Sequence, residues 1–230
     1  MAEFDQFAED YKAILERSTA IGGESSEYFT NYKAEYVRRV MDEVPERAMG
    51  GKILDYGCGI GALSAALAGR LPGATIHGFD VSESSLRQVQ PDVLAKGLFT
   101  AEWERLSADY ALIVISNVLH HIPVAERQWT IKELAQRLAP GGRILIFEHN
   151  PINPLTRLVV ARCPFDENAV LLRPAEIRGY FDKAGLTVLR RDYIVFFPRA
   201  LKMLRRLEPR LRWCPAGAQY ALLGRRHASE

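Results

Sequence analysis

The chain predicts an α/β fold, a mainly parallel sheet with helices on both faces, on three observations. Short apolar runs alternate with helical ones from Lys52 to Glu148. One apolar run, Ile53-Leu54-Asp55, opens into Tyr56-Gly57-Cys58-Gly59-Ile60-Gly61, and the stretch from Ala62 to Ala68 that follows is rich in good helix formers. A turn this dense in glycine tolerates positive φ and lets backbone approach a ligand closely, so strand, turn and helix N-terminus form the opening of a βαβ nucleotide site.

The elements follow from periodicity and punctuation. Apolar positions Phe4, Phe7, Tyr11, Ile14 and Leu15 predict a helix over 3–17, which the Gly22-Gly23 pair ends. Tyr28, Tyr32, Tyr36, Val37 and Val40 predict a second helix over 28–44, closed by Pro45 and Gly50-Gly51. Then come strand 52–56, helix 61–70, strand 74–80, helix 82–90, a weak strand 97–101, strand 110–116, helix 125–138 and strand 142–148. Helices between successive strands imply parallel pairing. Residues 149–173 hold three prolines and no clear period apart from an apolar patch at 155–160, so they read as irregular. Pro174 suits the first turn of a helix that Gly185 stops. Two further strands are expected over 186–197 and 219–224.

Composition narrows the class. Forty-eight per cent apolar residues and a net charge of +2 exclude a disordered chain. Three scattered cysteines, 58, 163 and 214, form no CxxC pair and fit a reducing compartment. No signal-like leader and no run of ~20 apolar residues stands out, so a cytoplasmic protein without a transmembrane segment is expected.

The glycine turn alone leaves the nucleotide open. Gly57, Gly59 and Ala62 satisfy the dinucleotide pattern GxGxx(G/A). Four motifs in order discriminate: Asp55-x-Gly57-x-Gly59-x-Gly61; Asp80 closing the strand Ala74–Phe79; Val118-Leu119-His120-His121 after the strand 110–116; and Pro140-Gly141-Gly142 before the next. Together they resemble the class I S-adenosylmethionine-dependent methyltransferases. That resemblance implies a Rossmann-like seven-stranded sheet of order 3-2-1-4-5-7-6 with the last strand antiparallel. It also implies a helical lid over 1–45, a core over 46–230, and substrate-side inserts at 149–173 and 198–217.

The resemblance likewise implies the cofactor, S-adenosylmethionine, and its contacts. Gly57, Cys58, Gly59 and Gly61 would pack against methionine and ribose, with Asp55 towards the amino end and Asp80 on the ribose hydroxyls. Val81 would touch the adenine, Glu102 its amino group, and Trp103 its ring; Asn117 would face the methionine portion, and Tyr28 and Lys33 the cofactor carboxylate. The family's phenylalanine-aspartate at the start of strand 4 reads Tyr110-Ala111 here, which leaves the register of Glu102 open.

On the acceptor side, His120, His121, Glu148 and His149 follow strands 4 and 5. An imidazole takes a proton near neutral pH, so the histidines are either a base or acceptor-orienting group, or structural residues at a helix start. No HxxxH or carboxylate spacing supports a metal, and none is expected. Residues 198–215 read as an amphipathic basic helix, with leucines at 201, 204, 207 and 211 and Lys202, Arg205, Arg206, Arg210 and Arg212 on other faces. It either caps the core, rests on an anionic membrane through 199–212, or, with Arg157, Arg162 and Arg173 around Leu155, Leu158 and Val159, selects an acceptor with an anionic head and apolar body. The expected reaction is methyl transfer to O, N or C of a small biosynthetic acceptor. The competing classes are an NAD-dependent oxidoreductase and a non-catalytic nucleotide-binding protein. No added RNA-binding module is visible, so no nucleic-acid partner is expected.

Overall fold

The computed structural model describes residues 23–43 and 51–227; the helix expected over 3–17 and the break at Pro45 lie outside them. Seven strands form one sheet in the order β3-β2-β1-β4-β5-β7-β6. They are β1 (Lys52–Tyr56), β2 (Thr75–Phe79), β3 (Phe99–Thr100), β4 (Tyr110–Ser116), β5 (Leu138–His149), β6 (Leu186–Ile194) and β7 (Gln219–Arg226). Pairing is parallel from β3 to β5, and β7 runs antiparallel to both β5 and β6.

Alternation along the central strands supplies two cores, because successive side chains leave a strand on opposite faces. On one face Leu54, Ile113, Ile115, Ile144 and Ile146 pack with α5 (Val124–Gln136) and α7 (Pro174–Lys183) through Ile131, Leu134, Ile177 and Phe181. On the other, Ile53, Leu112, Val114, Leu145 and Phe147 meet α1 (Ser26–Asp42) and α2 (Ala62–Arg70) through Val37, Val40, Leu63 and Leu67. The second sequence helix is thus part of the core. Ser25 caps it, accepting from the Tyr28 N–H, and Val37 and Val40 are fully buried.

Several boundaries move for identifiable reasons. The helix expected over 82–90 is two short turns, α3 (Glu83–Leu86) and α4 (Pro91–Leu94), because Gln90 stays extended ahead of Pro91. β5 starts before its predicted residue 142. Leu138 pairs with Tyr110, and the ladder resumes at Arg143 with Leu112 after an irregularity. Gly142 fits there because a Cβ would stand 2.7 Å from the Tyr110 carbonyl oxygen. β6 ends at Ile194 rather than 197, since Val195 has a φ of 59° and leaves the strand. The segment read as irregular contains α6 (Pro154–Val160), capped by Asn153, whose side chain accepts from the Thr156 N–H.

The basic helix is the largest departure. Residues Arg199–Leu207 form a 3-10 segment broken at Leu201, followed by the single turn α8 (Glu208–Leu211). Glu208 turns inward and accepts from the Phe196 and Phe197 N–H groups. That inward turn fixes the segment's roll and leaves Leu201 47% and Leu204 40% exposed, so these leucines do not cap the core. Among the described residues no helix is long and apolar enough to cross a membrane.

Candidate functional site

One cavity of about 600 Å³ opens along the carboxyl ends of β2, β1, β4 and β5 and reaches the end of β6. Its position follows from topology, since the parallel strands of an open α/β sheet deliver their loops to one edge.

The glycine turn forms one end. The Gly57 and Cys58 N–H groups both donate to the Phe79 carbonyl, at 2.7 and 3.0 Å, which stitches the turn to the end of β2. Gly57 has a φ of 76°, and a Cβ there would lie 2.3 Å from Val118 Cγ2, so any side chain at this position is strained and crowds Val118. Asp80 accepts from the Gly59 N–H at 2.7 Å and the Ser82 N–H at 2.9 Å, which holds its carboxylate at the cavity wall. Val81 lines the same wall and is 61% exposed.

Deeper in, Asp55 is buried and accepts from Ser64 Oγ at 2.7 Å. Burial, only partly offset by that hydrogen bond, pushes its carboxyl up to about 6. Lys33 reaches in from α1 and donates to Ser116 Oγ at 2.9 Å. Desolvation lowers its ammonium to about 8, against the pull of Glu148 and Asp55. Asn117 adopts a φ of 57°, and its Oδ1 is buried without a hydrogen-bond partner. Asp55, Gly57, Cys58, Gly59, Asp80, Val81, Asn117 and Lys33 all line the cavity.

Four expected positions lie elsewhere. Gly61 is the N-cap of α2, with a φ of 74°, behind the lining. Glu102 is exposed and pairs with Arg105. Trp103 meets Tyr56 and Phe79 edge-on under the Arg137 guanidinium, so it supports two cavity-wall rings from behind. Tyr28 lies under Arg205, 4.2 Å from ring centre to guanidinium, outside the lining. Arg205 also pairs with Glu24 and donates to the Phe197 carbonyl, tying the 3-10 segment to the start of α1. Arg157, Arg162, Arg173, Lys202 and Arg206 are likewise absent from the wall, which corrects the expectation of an arginine-ringed acceptor pocket.

The histidines gather midway along the sheet edge. A 3-10 turn, Leu119–His121, follows β4, and His149 ends β5. His120 Nδ1 stands 2.5 Å from Glu148 Oε2, while Glu148 Oε1 accepts from the Leu119 N–H. Glu148 is fully buried behind the wall, so it orients His120 and does not face the cavity. Burial works against charge on His120, yet Glu148 and Asp166 outweigh it and lift the imidazole to about 9. Desolvation, helped by the charge of His120, lowers His149 to about 4.

Asp166 was not singled out for this site in the sequence; it arrives on the 3-10 turn Pro164–Asp166 of the 149–173 insert, far from the histidines in the chain. Its carboxylate lies 3.2 Å from His120 Nε2 and 3.4 Å from His121 Nε2. Arg127, also unanticipated, is buried and donates to the carbonyls of Val170, His120 and Ile122, so it clamps the insert to the histidine turn. No spacing signal announces either residue. Beyond the histidines the wall is apolar, with Leu155, Val159, Phe165, Phe196, Phe197 and Pro198.

Comparisons with known proteins agree with this architecture. Residues 28–191 match the family model described as a methyltransferase domain. A ubiquinone biosynthesis O-methyltransferase from Leptothrix cholodnii is 28% identical over 155 residues, covering 60% of this chain and 64% of that protein. Methyltransferase GfsG from Streptomyces halstedii is 29% identical over 177 residues, covering 68% and 61%. The chain therefore spans somewhat under two thirds of the length of these curated relatives. Magnesium protoporphyrin IX methyltransferase from Synechocystis, solved with bound S-adenosylhomocysteine, superposes with a TM-score of 0.65 at 19% identity, over 96% of this chain and 97% of that one. A SAM-dependent methyltransferase from Thermotoga maritima gives 0.64 at 17% identity, over 97% and 98%. With the seven-stranded order, the glycine turn and the family match in agreement, this chain belongs to the methyltransferase domain family, the class I S-adenosylmethionine-dependent methyltransferases.

Proposed function

We propose that the chain transfers the methyl group of S-adenosylmethionine to an oxygen of a small, mainly apolar acceptor. The observation that carries this reading is the single cavity in which a nucleotide-binding wall and an apolar chamber meet at a histidine cluster. The residues fit the cofactor on their own chemistry. Asn117 Oδ1 is a buried acceptor in need of a donor, and Lys33 is a desolvated cation at the cavity wall; the amino and carboxylate groups of an amino acid moiety suit both. Asp80 presents a carboxylate that a ribose diol can donate to twice.

The bound sulfonium supplies an already activated methyl group, so the protein's task is alignment and removal of the acceptor proton. Gly57 and Asp80 fix the donor end. Leu155, Val159, Phe165 and Phe197 exclude water and hold an apolar body. His121 and His149 line the chamber where an acceptor hydroxyl would enter. Those groups favour oxygen, because a hydroxyl must lose its proton to become a competent nucleophile and a neutral amine need not. The name of the Leptothrix cholodnii relative, an O-methyltransferase, supports the same choice.

Isothermal titration followed by a transfer assay tests this. S-Adenosylhomocysteine should bind with micromolar affinity while NAD gives no heat. Labelled S-adenosylmethionine with a panel of phenols and hydrophobic carboxylic acids should yield O-methyl products. Binding of NAD without S-adenosylhomocysteine would return the chain to the oxidoreductase class, and products methylated only at nitrogen or carbon would overturn the assignment to oxygen.

A further inference from the structure

His120, His121 and Asp166 carry more than proton chemistry. Their ligand-type atoms all lie within 4.8 Å of one another, with the carboxylate oxygen 3.2 Å from one Nε2 and 3.4 Å from the other. Two ligand atoms that share a first-row divalent cation at ~2.0–2.2 Å, at tetrahedral or right-angle geometry, stand roughly 3.0–3.6 Å apart. Both separations from the Asp166 oxygen fall in that window.

An independent observation points to a cation at the same place. His120 is 1% exposed, and its Nε2 has no hydrogen-bond partner although Asp166 Oδ1 is only 3.2 Å away. The contact is close but not aligned as a hydrogen bond. On the other side of the ring, Nδ1 is held at 2.5 Å by the Glu148 carboxylate. A carboxylate at Nδ1 keeps a proton on that nitrogen and turns Nε2 towards the Asp166 oxygen. Nε2 and that carboxylate oxygen can share one positive centre, a proton on the ring or, in its place, a cation. Carboxylate, histidine and cation in that order is the usual outer-shell arrangement of metal sites, in which the carboxylate orients the ring and raises its basicity.

The scaffold is rigid where such a site needs it. The Val170 N–H donates to the His120 carbonyl at 2.9 Å, and Arg127 bridges the His120 and Val170 carbonyls. The turn carrying Asp166 and the turn carrying the histidines are therefore pinned to each other. All three side chains line the cavity, so a cation held by them would keep an open coordination position towards the chamber.

We propose that His120, His121 and Asp166 bind one first-row divalent cation, with Glu148 as the outer-shell partner of His120 and an open position facing the acceptor chamber. Two imidazoles and a carboxylate with an open position are the donor set of catalytic rather than structural sites. The occupant of the open position would be the acceptor oxygen, whose deprotonated form the cation favours. That role rests on the O-methyl transfer reading; the binding of the cation does not.

The test uses tag-free, full-length protein stripped with chelator and titrated with Co²⁺, followed by calorimetry and visible absorption, with no cofactor or acceptor present. One equivalent should bind and develop the visible d–d bands of low-coordinate Co²⁺. Zn²⁺ should displace it. His121→Ala and Asp166→Asn should each abolish the bands, and Glu148→Gln should weaken binding by about 10–100-fold, as expected for an outer-shell partner. S-Adenosylhomocysteine titration of each variant reports the fold: unchanged cofactor affinity with lost Co²⁺ bands supports the site. Absence of stoichiometric binding in the wild type, or bands that persist unchanged in both ligand variants, overturns it. Loss of both responses in one variant is read from the other, because His121 and Asp166 sit on separate turns. Failure of S-adenosylhomocysteine to bind the wild type would sink the cofactor reading and leave the Co²⁺ result standing.

Discussion

His120 Nδ1 and Glu148 Oε2 stand 2.5 Å apart, in side chains that are 1% and 0% exposed. Glu148 also receives the Leu119 N–H, so one carboxylate fixes both the ring and the turn that carries it. Glu148→Ala would leave a buried donor unmatched and a buried imidazole without its partner. The expected loss is about 3–5 kcal/mol in urea unfolding, the range for breaking a buried pair from one side. Glu148→Gln keeps an acceptor for Leu119 and should lose less. Equal stability of the alanine variant and the wild type would show that the pair does not hold the turn.

Lys33 gives the pH dependence. Its ammonium is lowered from 10.5 to about 8 in the folded protein by burial, so between about pH 8 and 10.5 the unfolded chain binds the proton and the folded chain does not. Stability contributed by this group therefore rises with pH across that window, by at most about 1.4 kcal/mol per pH unit, and is flat below it. In Lys33→Met that rise should disappear, the apo protein should be more stable than wild type at pH 7, and affinity for S-adenosylhomocysteine should fall. Parallel stability profiles of wild type and variant from pH 7 to 10 would count against a buried, desolvated Lys33.

Asp80 carries two tasks, binding the Gly59 and Ser82 N–H groups and facing the cavity. Hydrogen bonds to charged groups contribute ~1.5–3 kcal/mol, so Asp80→Ala should weaken S-adenosylhomocysteine binding by roughly ten- to a hundredfold. Asp80→Asn, which keeps an acceptor for one N–H, should fall between. Calorimetric titration of the three proteins checks the order.

Gly57 and Val118 form a steric pair across the mouth of β1 and β4. Gly57→Ala places a Cβ 2.3 Å from Val118 Cγ2 at a φ of 76°. It should cost more than the ~1–2 kcal/mol of left-handed backbone alone. Adding Val118→Ala should recover the steric part and leave the backbone part, a non-additivity that a double-mutant cycle in urea reads directly. Strict additivity would mean that the clash is absorbed elsewhere.

The sheet and the glycine-turn end of the cavity were legible in the sequence because both are local. Ile53-Leu54-Asp55 followed by spaced glycines fixes strand, turn and helix start within a dozen residues. Asp80 is readable for the same reason, as an acid that closes a strand next to β1. Lys33 was readable only through the resemblance, since nothing around it in the sequence marks a buried lysine.

Tertiary structure alone decided the opposite end of the cavity. Glu208 folds inward to take two backbone N–H groups, and that choice turned an expected amphipathic helix into a 3-10 segment with exposed leucines. Arg205 turned to Glu24 and the Tyr28 ring rather than to the cavity. Asp166 and His120 meet because Arg127 and Val170 clamp the insert onto the turn after β4. The physical reason is range: periodicity and turn chemistry encode contacts between near neighbours. The partners of a buried charge are set by whichever distant segment the closed core brings within reach.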